Sequence, residues 1–124
     1  MNPTMTNLQV IGHVLAKLPG LAATTEKHAT QIGNPDFQEL VGYLSALPRE
    51  QMLALITIMY FGRDDCTSIV SMQEHCHVTF PDSRAMAHQM LEKSPALPRY
   101  FAAARRRAWL DGIDLDRLPQ PLST

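Results

Sequence analysis

The chain has 124 residues and a formal net charge of -1. That length fits one domain, and it can bury roughly two thirds of the surface its unfolded chain exposes, so a core needs no disulfide or metal. The balanced charge leaves no global electrostatic footprint for nucleic acid or an anionic membrane. No basic, apolar leader opens MNPTMTNLQV, and no apolar run reaches the ~20 residues of a bilayer span, so the expected setting is the cytoplasm. Cys66 and Cys76, the only two cysteines, are expected as free thiols.

In chain order, Leu8, Ile11, Val14, Leu15 and Leu18 recur at helical spacing, with Thr6 or Asn7 as cap and Pro19-Gly20 as the stop. Residues 20–34 are small and polar and read as a long loop. Asn34-Pro35 is a helix start, and the helix it opens carries Phe37, Leu40, Val41 and Leu44 on one face. The central element begins with Pro48 at its first position. From Met52 to Phe61 only Thr57 interrupts an apolar run, so this helix reads as buried on all sides. Gly62 then stands as its C-terminal glycine.

Asp65 or Thr67 caps a short fourth helix through Ile69, Val70, Met72 and Gln73, which ends near the β-like His77-Val78-Thr79-Phe80. Pro81-Asp82-Ser83 opens a fifth helix with Met86 and Met90 on one face and Ala87 and Leu91 beside them, and Ser94-Pro95 breaks it. The last helix runs from Leu97 or Pro98 to Leu110 and stops at Asp111-Gly112. The expectation is one all-α domain over residues 1–118, a compact bundle of five or six helices around Met52–Phe61, with an extended tail at 119–124.

Three constellations bear on chemistry. Arg63, Asp64 and Asp65 follow the buried helix, so a cation stands beside two carboxylates where a polar ligand, an ion or a partner could be held. The plainer reading is a C-cap glycine, an arginine on the last helix carbonyls and an aspartate capping the next helix. Glu74, His75, Cys76 and His77 form the densest run of metal-ligand types. Glu74 and His77 make one E-x-x-H pair, but no other glutamate has a histidine three residues later, so a di-metal carboxylate bundle lacks its ligands. On a helix His75 and His77 point about 200° apart and share a metal only if the segment is extended. Neither cysteine has the setting of a nucleophile.

The third constellation is Arg99 to Arg107, a segment free of acidic residues. Arg99, Arg106, Tyr100 or Phe101 could touch phosphates. On a helix, however, Arg105, Arg106 and Arg107 spread over about 200° and form a solvated flank that compensates the helix dipole. No helix-turn-helix pattern precedes them, so nucleic acid is a minor reading. His13 and His88 read as packed or rim histidines.

From the second helix onward the chain resembles a bacterial family of small helical proteins, domain of unknown function family 3775, over about Phe37–Arg106. The resemblance rests on Glu39-Leu40-Val41 to Leu47, on Leu53-Ala54-Leu55 through Tyr60-Phe61-Gly62-Arg63, and on Met90-Leu91 followed by Ser94-Pro95-Ala96-Leu97-Pro98 and Tyr100-Phe101. Asp64 stands where that family usually has glycine, residues 66–80 lack its tryptophan, and the last helix is basic where relatives are acidic. The resemblance implies a helical fold and draws attention to Gly62, Arg63 and Pro95; it implies no activity.

The expected function is a non-enzymatic interaction or regulatory module that associates with itself as a homodimer, because apolar helix surface exceeds what so short a chain can bury. No cofactor and no membrane partner are expected. A small-ligand or metal site at Arg63–Asp65 and His75–His77 is the first alternative, and nucleic-acid binding through Arg99, Arg105, Arg106 and Arg107 the second.

Overall fold

A computed structural model describes residues 5–25, 35–63, 68–93 and 96–118. Among the described residues six α-helices follow one another: α1 (Asn7–Thr25), α2 (Pro35–Ser45), α3 (Arg49–Arg63), α4 (Ile69–Thr79), α5 (Ser83–Leu91) and α6 (Leu97–Asp111). A single 3-10 turn, Leu115–Arg117, comes after them, and the described residues contain no strand. None of their helices is long and apolar enough to cross a membrane.

The uninterrupted apolar run dictates the architecture. In α3 every residue from Met52 to Met59 is buried, and so is Phe61, so this helix needs neighbours around its whole circumference. It packs most extensively on α6, then on α4 and α5, with α1 closing the remaining side. Each large side chain buried there contributes about 1.5–3 kcal/mol relative to exposure. Glu50 in the first turn and Arg63 in the last turn complement the helix dipole. The Pro48 carbonyl accepts the Met52 N–H at 3.0 Å, so Pro48 is the residue before the helix rather than its first position. Around this axis, α2 buries Leu40, Val41 and Leu44 and packs on α5 and α1.

Several helix ends differ from the sequence-based expectation. Gly62 does not end α3: the helix continues to Arg63, and the one positive-φ glycine among the described residues is Gly112. Gly62 serves instead as the crossing point with α6, developed below. The Pro19-Gly20 pair does not stop α1, whose backbone stays helical to Thr25. Proline penalises a helix interior without forbidding it, and the Leu21-Ala22-Ala23 that follow are strong helix formers. The expected loop therefore loses its first residues to α1, and its remainder, 26–34, lies outside the described residues. Ser68, not Asp65 or Thr67, caps α4, with its Oγ accepting the Ser71 N–H at 3.1 Å. The β-like composition of His77-Val78-Thr79 yields to helix, and only Phe80 turns extended.

Other ends follow from local chemistry as expected. Asp82 caps α5 by accepting the Ala85 N–H at 2.9 Å. Gly112, with φ 72°, ends α6. The Ile113 N–H then reaches back to the Ala108 carbonyl at 2.8 Å and the Gly112 N–H to Trp109 at 3.4 Å, which is the paired bond of a Schellman stop. That stop folds Ile113 back along α6. The chain next closes on its own beginning. Buried Asn7 donates from Nδ2 to the carbonyls of Leu115 at 2.8 Å and Leu118 at 3.1 Å. Asp116 accepts the Leu8 N–H at 2.9 Å, placing a carboxylate at the N-terminus of α1.

Candidate functional site

The three constellations fare differently. Arg63 is exposed at the end of α3, with its guanidinium 5.5 Å from the centroid of the Tyr60 ring. Asp64 and Asp65 lie outside the described residues. The arginine that engages the last carbonyls of α3 is Arg107 of α6: it donates to the Phe61 carbonyl and covers the Phe61 ring at 3.9 Å from its centroid.

Glu74, His75, Cys76 and His77 sit on α4, a regular helix, so the extended geometry that two histidines need to share an ion is not formed. Glu74, His75 and His77 are exposed while Cys76 is fully buried. Burial pushes the Cys76 thiol up to about 11, and the neighbouring Thr57 hydroxyl offsets part of that rise. A thiol so hard to ionise is a poor nucleophile and a poor metal ligand. His77 is committed elsewhere: its Nδ1 lies 3.2 Å from Arg49 Nη1, and Arg49 Nη2 also donates to the carbonyls of His77 at 3.3 Å and Phe80 at 3.1 Å. Arg49 thus closes the C-terminus of α4. Among the described residues no three His, Cys, Asp or Glu side chains converge as a metal site.

The arginines of α6 are not one solvated flank. Arg107 is half-buried against Phe61, and Phe101 is part of the core, so neither faces a phosphate. Arg99 is exposed beside Tyr100, with its guanidinium 5.4 Å from that ring's centroid. Arg105 and Arg106 are exposed and line a groove of about 390 Å³ together with Leu8, Ala108, Trp109, Ile113, Asp114 and Leu115. The groove is formed because the Schellman stop turns Ile113 back toward α6 while Leu115 packs against the start of α1. Its floor is apolar, Arg105 and Arg106 supply positive charge, and Asp114 supplies negative charge.

At the edge of this groove stands the feature that the constellations missed. Trp109, the chain's single tryptophan, is 83% exposed, and Leu110 beside it is 70% exposed. An exposed Trp–Leu pair next to an apolar groove is an unusual expense of hydrophobic surface on a small domain. The phase of α6 was the available signal. Leu97, Phe101, Ala104 and Ala108 mark its buried side, and Trp109 and Leu110 fall outside that stripe, where solvent or a partner must meet them.

A second recess of about 290 Å³ lies among Met5, Thr6, Asn7, Pro48, Glu50, Gln51, Asp116 and Leu118. Its polar groups hold the chain together: Asn7 and Asp116 as above, and Gln51 through its Nε2 donation to the Met5 carbonyl at 2.7 Å. The fold and its surface therefore define an all-α protein with an exposed aromatic and basic face on its last helix. No family model matches the chain, and neither a curated protein nor a solved structure does.

Proposed function

We propose that the protein is a non-enzymatic interaction module that associates with itself through the outer face of α6. The observation that carries this reading is the exposure of Trp109 and Leu110 beside the groove. Tryptophan buried in a pocket is the most effective single anchor of a protein interface, and arginine is next to it in frequency. A standard interface covers about 800 Å² per partner, more than two side chains supply, so the surface fits a reversible association near the micromolar range. Sedimentation velocity over about 1–500 µM tests it. A concentration-dependent shift to twice the monomer mass, lost in a Trp109→Ala, Leu110→Ala double variant, is the expected result. A monomer throughout that range removes the reading.

Nucleic-acid binding is the second reading, favoured by one observation. Arg99, Ala102, Arg106 and Trp109 recur at helical spacing and are all exposed, a pattern that pairs phosphate-binding cations with a stacking ring. It is the weaker reading because Arg107 is spent on the fold and Asp111 and Asp114 close the same end of the helix with negative charge. It predicts binding of a single-stranded oligonucleotide that falls steeply with salt. For the ligand or metal alternative at Arg63–Asp65 and His75–His77, the described residues show no convergence of metal-ligating side chains, and Asp64 and Asp65 lie outside them.

A further inference from the structure

We infer that two copies of the chain meet about a two-fold axis at the C-terminal end of α6, each seating Trp109 in the other's groove, with Arg105 and Arg106 facing the partner copy's Asp114. This rests on the self-association proposed above and names its geometry.

A two-fold interface uses one patch twice, so the patch must complement itself. This patch does so in shape. Trp109 and Leu110 form a projection, and immediately beside them Leu8, Ala108, Ile113 and Leu115 floor a depression of about 390 Å³. That volume is at the lower end of the range of organic-ligand pockets, and the depression, open on one side, has room for an indole. A projection and a depression side by side are exchanged between two copies by a two-fold rotation.

The patch also complements itself in charge. Arg105 and Arg106 line the groove on the α6 side and Asp114 lines it beyond the helix stop. A partner of a single sign meets like charge on one of these sides, whereas a second copy presents each sign to its opposite. Asp114 has carboxylate capacity to share. One oxygen accepts the Asp116 N–H at 3.0 Å, and the other faces Arg117 at 3.5 Å in an ion pair whose two side chains are 59% and 85% exposed. Such a pair is worth little in water and rearranges at little cost. At a net charge of -1 the copies repel each other only weakly at long range.

The experiment pairs two charge reversals and the chain's own fluorophore. The double variant Arg105→Glu, Arg106→Glu and the single variant Asp114→Arg are each sedimented alone and as an equimolar mixture. Each alone sets like charges against each other at both symmetry-related contacts and weakens dimerisation at least about tenfold. In the mixture both contacts again pair opposite charges, so the heterodimer regains wild-type affinity. Asp114→Asn, which keeps an acceptor for the Asp116 N–H, separates charge loss from loss of the turn. Independently of any variant, the emission of Trp109 in the wild-type protein shifts to shorter wavelength as dimer forms. If dimers form but Trp109 keeps a solvent-exposed spectrum, or the mixture stays as weak as its components, the groove exchange is overturned while self-association stands. If the wild type never dimerises, both fall; a spectral shift caused instead by a single-stranded oligonucleotide then assigns the face to nucleic acid.

Discussion

Gly62 in α3 lies against the main chain of α6, facing the carbonyl oxygen of Tyr100. A β-carbon there would overlap that oxygen and stand 2.8 Å from the Ala104 nitrogen. The prediction is a reversal of sign. Helix propensity alone makes Gly→Ala inside a helix stabilising by about 1 kcal/mol. Here the obstructing atoms belong to backbone, which cannot rotate aside, and overpacking of this kind costs about 1–3 kcal/mol or more. Gly62→Ala is therefore expected to lower stability in urea unfolding by about 2 kcal/mol or more. A variant as stable as the wild type would show that the two helices do not approach so closely.

Arg107 closes the same crossing from the other side. Its guanidinium covers Phe61 and donates to the Phe61 carbonyl, one of the carbonyls that the end of α3 leaves without a helical partner. Arg107→Met keeps the stem and removes the bond and the cation–ring contact. The expected loss is about 1.5–3 kcal/mol. Arg105→Met and Arg106→Met, on exposed positions of the same helix, are expected to stay within about 0.5 kcal/mol. Equal effects at all three positions would return them to a single solvated flank.

These two residues mark where the sequence stops being legible. The apolar run Met52–Phe61, the Asp82 cap and the Gly112 stop are written in neighbouring residues, so they are readable one window at a time. Gly62 is not, because a glycine after an apolar run looks the same whether it ends a helix or admits a second one. What decides between them is Tyr100, remote in sequence. Phe61-Gly62 and Tyr100 come together at this crossing, so in this chain they encode packing. Arg105, Arg106 and Arg107 are identical letters with different fates because successive residues turn by about 100°. The groove was hidden for a related reason. Leu8 lies at the start of the chain and Ile113 and Leu115 just after α6, and the Asn7 and Asp116 bonds join these two remote stretches.

Arg49 ties two helices at opposite ends. From the first turn of α3 it donates to the His77 and Phe80 carbonyls at the end of α4. Arg49→Met removes these bonds while keeping most of the side chain's apolar stem. The expected cost is about 1–2 kcal/mol, concentrated at the last turn of α4. Hydrogen exchange reads this directly: the amide of Phe80, which bonds the Cys76 carbonyl at 3.1 Å, is expected to exchange faster in the variant than in the wild type, with the α3 amides unchanged. Uniform acceleration over both helices would mean that Arg49 supports the whole bundle instead.

Cys76 gives the folded protein a defined alkaline limit. Its thiol is raised from an ordinary 9.0 to about 11, first by burial, with the Thr57 hydroxyl opposing the rise. The folded protein thus holds this proton more tightly than the unfolded chain does. Its contribution is complete below pH 9 and is lost as the pH climbs from 9 toward about 11, because the unfolded thiol ionises first. A difference of that size amounts to at most about 3 kcal/mol. In a Cys66→Ser background, stability measured against pH is expected to fall more steeply between 9 and 11 than in the same background carrying Cys76→Ala, which has no thiol to ionise. Over the same range a thiol reagent is expected to modify Cys76 only as fast as α4 opens from α3. Parallel stability curves, or immediate modification of the folded protein, would place the thiol in contact with solvent and contradict its burial.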